Sequence, residues 1–274
     1  MKKYILTEES KQIGGIILHR IQALKSFGDV KEGDLGGWIE KEENLSHDGN
    51  VWVYGNARVY GNARVYGNAR VYGDAEVYGN AEVYGDAEVY GDAEVYGNAR
   101  VYGDAWVYGD AEVYGNAWVC GNAWVCGNAR MYGNARVYGD ARVCGGAWVY
   151  GNARVYGDAW VYGNARVYGD TRVYGDAWVY GNAWVCGDAR VYGDAEIKSS
   201  DKILWVGPAG SRNDTTTFFA GKDQKIYVSC GCFSGDIDTF EQAVKETHGD
   251  NKYGKQYQRL IALAKEEIVL GDCE

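Results

Sequence analysis

The chain has 274 residues, 46% of them hydrophobic, so it buries a core and is not a disordered polymer. A formal net charge of −10 argues against bulk binding to nucleic acid or to an anionic membrane, and leaves room for a local basic stripe. The 40 glycines stand against one proline, Pro208, and recur at a fixed period, which a flexible linker would not do.

Residues 1–46 read as an N-terminal β cap. Lys2 and Lys3 are followed by no apolar region, and no window nears the roughly 18 apolar residues of a membrane span, so a cytoplasmic protein without a membrane partner is expected. Seven cysteines, an odd number without scaffold spacing, suit reduced thiols there. Residues 15–21 have the character of a strand, and residues 33–39, with Gly33, Asp34, Gly36 and Gly37 beside Trp38, that of a loop.

Residues 47–197 are the repeat, and 53–196 within them are 24 uninterrupted hexads of the form Val-Tyr-Gly-Asn/Asp-Ala-Arg/Glu/Trp. Side chains alternate along a strand, so the valine points in while the residues on either side of it point out. Gly-Asn/Asp supplies a bend, since these residues tolerate positive φ, and alanine fits a corner where only a small group can turn inward. Six residues make one straight face and one corner, so three units close a triangular coil of 18 residues. At ~4.8 Å between rungs the prism is about 35 to 40 Å long. The expected fold is an all-β solenoid, a left-handed parallel β-helix, the known kind of exception to right-handed crossovers.

The aliphatic residue, the asparagine three positions on and the small residue after it, as in Val53, Asn56 and Ala57, resemble the bacterial hexapeptide-repeat family. Tyr54 and its equivalents depart from that pattern, which usually has a small or acidic residue there. In the cap, Phe27, Gly28, Asp29, Val30 and Lys31, then Gly36, Gly37, Trp38 and Ile39, then Asn44, Leu45 and Ser46, look like the start of YdcK-type hexapeptide proteins, often labelled acyltransferases. The resemblance implies acyl transfer from coenzyme A with a histidine as general base, and such a base is needed to take a proton from the acceptor. The 24 hexads contain neither a histidine nor a loop leaving the coil; His19, His47 and His248 all lie outside them. His47, at the solenoid mouth, is the one catalytic candidate and reads more readily as a cap residue.

Residues 18 apart should form columns. Asn62, Asn80, Asn98, Asn116, Asn134 and Asn152 make an all-asparagine corner, while Asp86, Asp104, Asp140, Asp158, Asp176 and Asp194 populate another. Stacked asparagines can hydrogen-bond along the axis, so a structural ladder is expected. The outward position before valine sorts by face. A first, aromatic face carries Trp52, Trp106, Trp124, Trp160 and Trp178. A second carries the successive glutamates Glu76, Glu94 and Glu112, which repel unless screened, and a third becomes a basic stripe at Arg136, Arg154, Arg172 and Arg190.

Beside these columns run 20 tyrosines, interrupted by four cysteines. So many exposed rings would exceed the apolar patch of an ordinary monomer. The rings admit a homo-oligomer packed through the aromatic face, a dimer or, as the hexapeptide-repeat resemblance implies and favours, a trimer; a ligand site with rings stacking on sugars or nucleobases and arginines holding phosphates; or ring ladders with no partner. The candidate binding residues are the five tryptophans and four arginines just named. Cys126 and Cys144, one coil or ~4.8 Å apart, are within reach of a disulfide, while Cys120 and Cys186 on the other faces stand in for tyrosine.

Residues 198–274 read as a small α+β domain, with strands in 203–206, 217–220 and 225–229. Helical spacing follows in Phe240 and Val244 and in Tyr257, Leu260, Ile261, Leu263 and Ala264, with Asp238 or Thr239 as N-cap. Cys230, Cys232, Cys273 and His248 lack paired zinc-ligand spacing, so neither a metal nor another cofactor is expected. Residues 210–219 and 230–233 are similar to a module of phage and prophage proteins. The expected function is a non-catalytic binding or scaffold protein of that origin, meeting a host protein or a small nucleotide or sugar; the alternative is a CoA-dependent acyltransferase.

Overall fold

The computed structural model describes residues 2–270. Each hexad supplies a strand of two to four residues that opens on the residue before its valine. The strands stack into three parallel sheets. The first face has nine rungs, from Trp52–Val53 to Glu196–Ile197, and the third has eight, from Arg64–Val65 to Arg190–Val191. Every rung pairs in register with its copy 18 residues on, as Glu88 opposite Trp106 and Val89 opposite Val107. The triangular β-solenoid expected from the repeat is therefore what forms.

The valines and alanines fill the axis. Val89, Val107 and Val125 are fully buried, as are Ala87, Ala105 and Ala123, and each buried valine contributes ~1.5–3 kcal/mol. Where the pattern breaks, the interior adapts: Met131 replaces a valine, and Thr171 replaces an alanine, its buried hydroxyl donating to Tyr168 O at 2.7 Å. At most corners glycine is required for two reasons at once. Gly91 has φ +75°, and a Cβ there would lie 3.0 Å from Gly109 N.

The cap is more regular than its sequence suggests. Tyr4–Ile13 and Ile16–Ala23 form an antiparallel hairpin, and Leu35–Ile39 pairs antiparallel with the second of these strands and parallel with the Arg58–Val59 rung. The second face thus grows to 11 strands. The long first strand escapes a periodicity reading because it is an edge strand, and its Glu8, Glu9 and Lys11 blunt that edge against further pairing. The expected loop at 33–39 is largely strand, since Gly37 lets the backbone close on the solenoid: a Cβ would meet Val53 Cγ1 at 2.6 Å.

The hairpin covers the first rung. Trp52, expected on the exposed aromatic face, is instead 1% exposed, edge-on to Tyr4 at 6.0 Å and to Phe27 at 5.4 Å. Lys3 is buried beside it, its ammonium donating to Val51 O at 2.8 Å, and desolvation by burial lowers its pKa to about 8. Trp52→Ala should cost ~3–5 kcal/mol and loosen the cap selectively. Hydrogen exchange should then accelerate across residues 4–39 while the middle rungs stay protected; uniform exchange across both would contradict a separable cap.

At the other end the chain forms a four-stranded antiparallel sheet, Ile203–Ala209, Asp214–Ala220, Ile226–Cys230 and Phe233–Asp236, followed by helices α1 (Ile237–His248) and α2 (Lys252–Glu267). The fourth strand displaces the expected N-cap. Asp236, which closes that strand, accepts from Thr239 N at 2.8 Å, and neither Asp238 nor Thr239 caps α1. Alternation divides the second strand: Phe218 and Ala220 join the helices' core, while Phe219 turns into the solenoid core, edge-on to Tyr192 at 5.1 Å. The tail therefore caps the prism as well as extending it. Among the described residues no helix is long and apolar enough to cross a membrane.

Candidate functional site

Successive tyrosines stack face to face, Tyr60 on Tyr78 at 5.0 Å and Tyr84 on Tyr102 at 4.9 Å, with planes 2° and 1° apart. Each ring covers its neighbour, so most of these tyrosines are half-buried within one chain. The apolar sheet expected to need a partner is in good part closed by its own stacking.

The hydroxyls have a separate task. Tyr60, Tyr72, Tyr78 and Tyr180 donate to Glu76, Glu88, Glu94 and Glu196 at 2.7, 2.8, 2.9 and 2.6 Å, always to the glutamate 16 residues on. Arg58 pairs with Glu76 at 2.9 Å and Arg130 with Glu112 at 3.1 Å. The three successive glutamates of the second face are thus screened by ring hydroxyls along the column and guanidiniums at its ends. Burial, and then these bonds, hold the hydroxyls of Tyr60, Tyr72 and Tyr78 far above the ordinary tyrosine range; burial followed by the Glu112 charge pushes Tyr96 up to about 12.

The asparagine corner is a ladder as expected, with Asn62, Asn80, Asn98, Asn116 and Asn134 each donating to the next amide at 2.9 to 3.2 Å. It has a direction. Lys41 donates into its first member at 3.2 Å and Asp170 accepts from its last, Asn152, at 2.8 Å.

The remaining tryptophans of the first face form one column closed by cations. Trp106 stacks on Trp124 at 5.3 Å, the Arg142 guanidinium lies 4.4 Å from Trp124 and 4.7 Å from Trp160, Trp160 stacks on Trp178 at 5.7 Å, and Lys222 sits 4.3 Å over Trp178. In the neighbouring ring column, Cys126 and Cys144 are joined in a disulfide, with Cα atoms 4.6 Å apart. This corrects the expectation of reduced thiols throughout.

The third face is the one left electrostatically open. Arg100 pairs with Glu82 at 3.2 Å, and Arg100 and Arg136 lie over Trp118 at 5.4 and 4.4 Å. Arg154 and Arg172 follow in register, exposed, and among the described residues neither they nor Arg136 has a carboxylate at ion-pair distance. Arg190 does not belong to the open stripe: its backbone N–H donates to Thr217 Oγ1 at 3.1 Å and its guanidinium to Gly231 O at 3.4 Å, because the tail folds over that rung. Within this face Tyr102, Trp118, Cys120, Arg136, Tyr138 and Arg154 surround an opening of about 220 Å³ where the ring column lacks one member.

His47 is held in the cap. Its Nδ1 accepts from Lys3 N at 3.2 Å, its ring lies 4.4 Å from that of Tyr4, and its Nε2 is 3.7 Å from Glu42. The tail holds a larger hollow of about 410 Å³ that the sequence did not reveal, where Arg212, Cys230, His248 and Tyr257 meet above Phe240. Thr216 Oγ1 donates to Cys230 Sγ at 3.3 Å, and the thiol donates to Tyr257 OH at 3.5 Å. Among the described residues no three His, Cys, Asp or Glu side chains cluster as a metal site; Cys273 lies outside those residues.

A family profile described as "YdcK Beta solenoid repeat" matches residues 52–66, 63–79, 93–109, 129–145, 135–151, 147–163, 159–175 and 171–187. A protein of Escherichia coli (strain K12) described as "Uncharacterized acetyltransferase YdcK" is 37% identical over 62 residues, which cover 20% of this chain and 19% of that protein.

Proposed function

Because its solenoid matches the YdcK β-solenoid repeat, and such a fold does not by itself fix an activity, we propose that the chain is a non-catalytic binding scaffold presenting ladders of rings and charges. The observation that carries this reading is the contrast between two charged columns. The stacked glutamates of the second face accept hydrogen bonds from ring hydroxyls and are paired with guanidiniums at the column's two ends, whereas among the described residues Arg136, Arg154 and Arg172 stack with no carboxylate at ion-pair distance. Like charges directly opposite one another destabilise a sheet, and an anionic ligand or partner would relieve that repulsion.

The proposal extends to a phage or prophage origin, on the sequence resemblance of residues 210–219 and 230–233, and to a cytoplasmic setting with a host protein or a small nucleotide or sugar as what the face meets. Self-association through the first face stays within the proposal on the exposed ring of Trp160, with a trimer favoured over a dimer on the hexapeptide-repeat resemblance.

The test is to denature purified protein and analyse the released pool by mass spectrometry. Wild type should release an anionic small molecule or retain an acidic partner, and Arg136→Glu/Arg154→Glu/Arg172→Glu should lose it at least tenfold; identical pools would overturn the reading. The second reading, acyl transfer from coenzyme A, draws on the name of the Escherichia coli relative. Calorimetric binding of acetyl-CoA, with turnover abolished in His47→Ala, would move the conclusion there.

A further inference from the structure

The ring column of the third face runs Tyr66, Tyr84, Tyr102 on one side of Cys120 and Tyr138, Tyr156, Tyr174 on the other, with stacking distances of 4.8 and 4.9 Å below and 4.9 and 5.0 Å above. Cys120 sits in register opposite Tyr102, and the next rung carries Tyr138. The backbone is unbroken, so the flanking rings are two rungs apart at ~4.8 Å per rung, and the volume that a tyrosine ring fills elsewhere is open. It measures about 220 Å³. One flat ring placed there would face Tyr102 and Tyr138 at the ladder's own spacing, with the Cys120 thiol at its back.

The mouth is cationic. Arg136 and Arg154 pair in register at its edge, and Arg136 is already held over Trp118 at 4.4 Å. The other interruptions differ. The first-face gap spans two rungs and is occupied by the Cys126–Cys144 disulfide, while Cys186 ends the second-face column with no ring beyond it and Trp205 beside its corner.

We propose that the missing rung at Cys120 is a binding slot for one planar ring carrying an anionic group, of the mononucleotide class, with the ring between Tyr102 and Tyr138 and the phosphate on Arg136 and Arg154. The slot rests on the binding reading above and gives it a ligand class. Stacking tolerates any base, since every base has a π face, so the slot selects for flatness and charge more than for hydrogen-bonding edges.

Calorimetry on the full chain with the four ribonucleoside monophosphates, adenosine and inorganic phosphate tests it. At least one monophosphate should bind, adenosine and phosphate each at least tenfold more weakly. Cys120→Tyr restores the residue found at most rungs and so keeps the fold, which circular dichroism verifies; it should weaken nucleotide binding at least tenfold. Arg136→Ala/Arg154→Ala should do the same and erase the preference over adenosine. Unchanged affinity in Cys120→Tyr, phosphate binding as tightly as the nucleotides, or no binding of any monophosphate at millimolar concentration would each overturn the slot. If Cys120→Tyr is silent while the triple arginine variant loses its released pool, the slot falls and the binding face stands; if both variants behave as wild type, both fall.

Discussion

Val107→Asp should leave no cooperatively folded solenoid. Val107 is fully buried between Val89 and Val125 in a column of valines, with only apolar side chains and satisfied backbone around it. A carboxylate there has no partner, and a buried unpaired charge costs several kcal/mol against a net stability of about 5–15 kcal/mol. The position magnifies the effect. Each coil is stabilised through its two neighbours, so a fault in the middle uncouples both halves, where a fault at an end frays one. Circular dichroism and sedimentation should show loss of structure or aggregation. Tyr108→Ala, on the same strand and pointing outward, should stay folded with a far smaller loss. A melting point for Val107→Asp within a few degrees of wild type would mean the axis is not dry.

Raising the pH through 10 should unfold the protein in one steep step. The tyrosines of an unfolded chain lose their protons near 10.0, whereas burial, together with bonds to Asp29, Glu76, Glu88 and Glu94, keeps those of Tyr54, Tyr60, Tyr72 and Tyr78 in place well above that value; Tyr96 and Tyr102 are held to about 12. Above pH 10 the folded state therefore binds more protons than the unfolded one. Stability from these groups is complete below pH 10 and lost as pH rises through the folded values. Because the donors sit in stacked columns, ionising one ring weakens the next. Tyrosinate absorbance and loss of far-ultraviolet ellipticity should rise together. Gradual ionisation with the fold intact would show that the hydroxyls are not linked to stability.

What could be read from the sequence was whatever obeys the period of 18. Asn62 to Asn152, Glu76 to Glu112 and the arginine stripe are columns because each residue's neighbour along the axis is fixed by counting. What escaped lies off that lattice. Tyr78 reaches Glu94, 16 residues on and not 18, because its hydroxyl slants across to the adjacent column. Trp52 shares its column with Trp106 and differs only in having the hairpin above it, which no repeat encodes. Arg190 likewise ends the basic stripe only because Thr217 and Gly231 come from a sheet outside the repeat. The opening at Cys120 is a different kind of miss. The sequence shows the cysteine standing in for tyrosine, but a substitution becomes a vacancy only where the rings on either side touch their own neighbours.

Within the repeat, the pairing of each strand with its copies 18 residues away makes the prism a screw gauge. Gain or loss of one whole coil would slide the C-terminal domain ~4.8 Å along the axis and leave its azimuth unchanged. Gain or loss of a single hexad would turn that domain by a third of a revolution and deliver it to a different face. Length and angular phase are therefore set by the same count, and recombination between near-identical hexads can reset either without disturbing the interior.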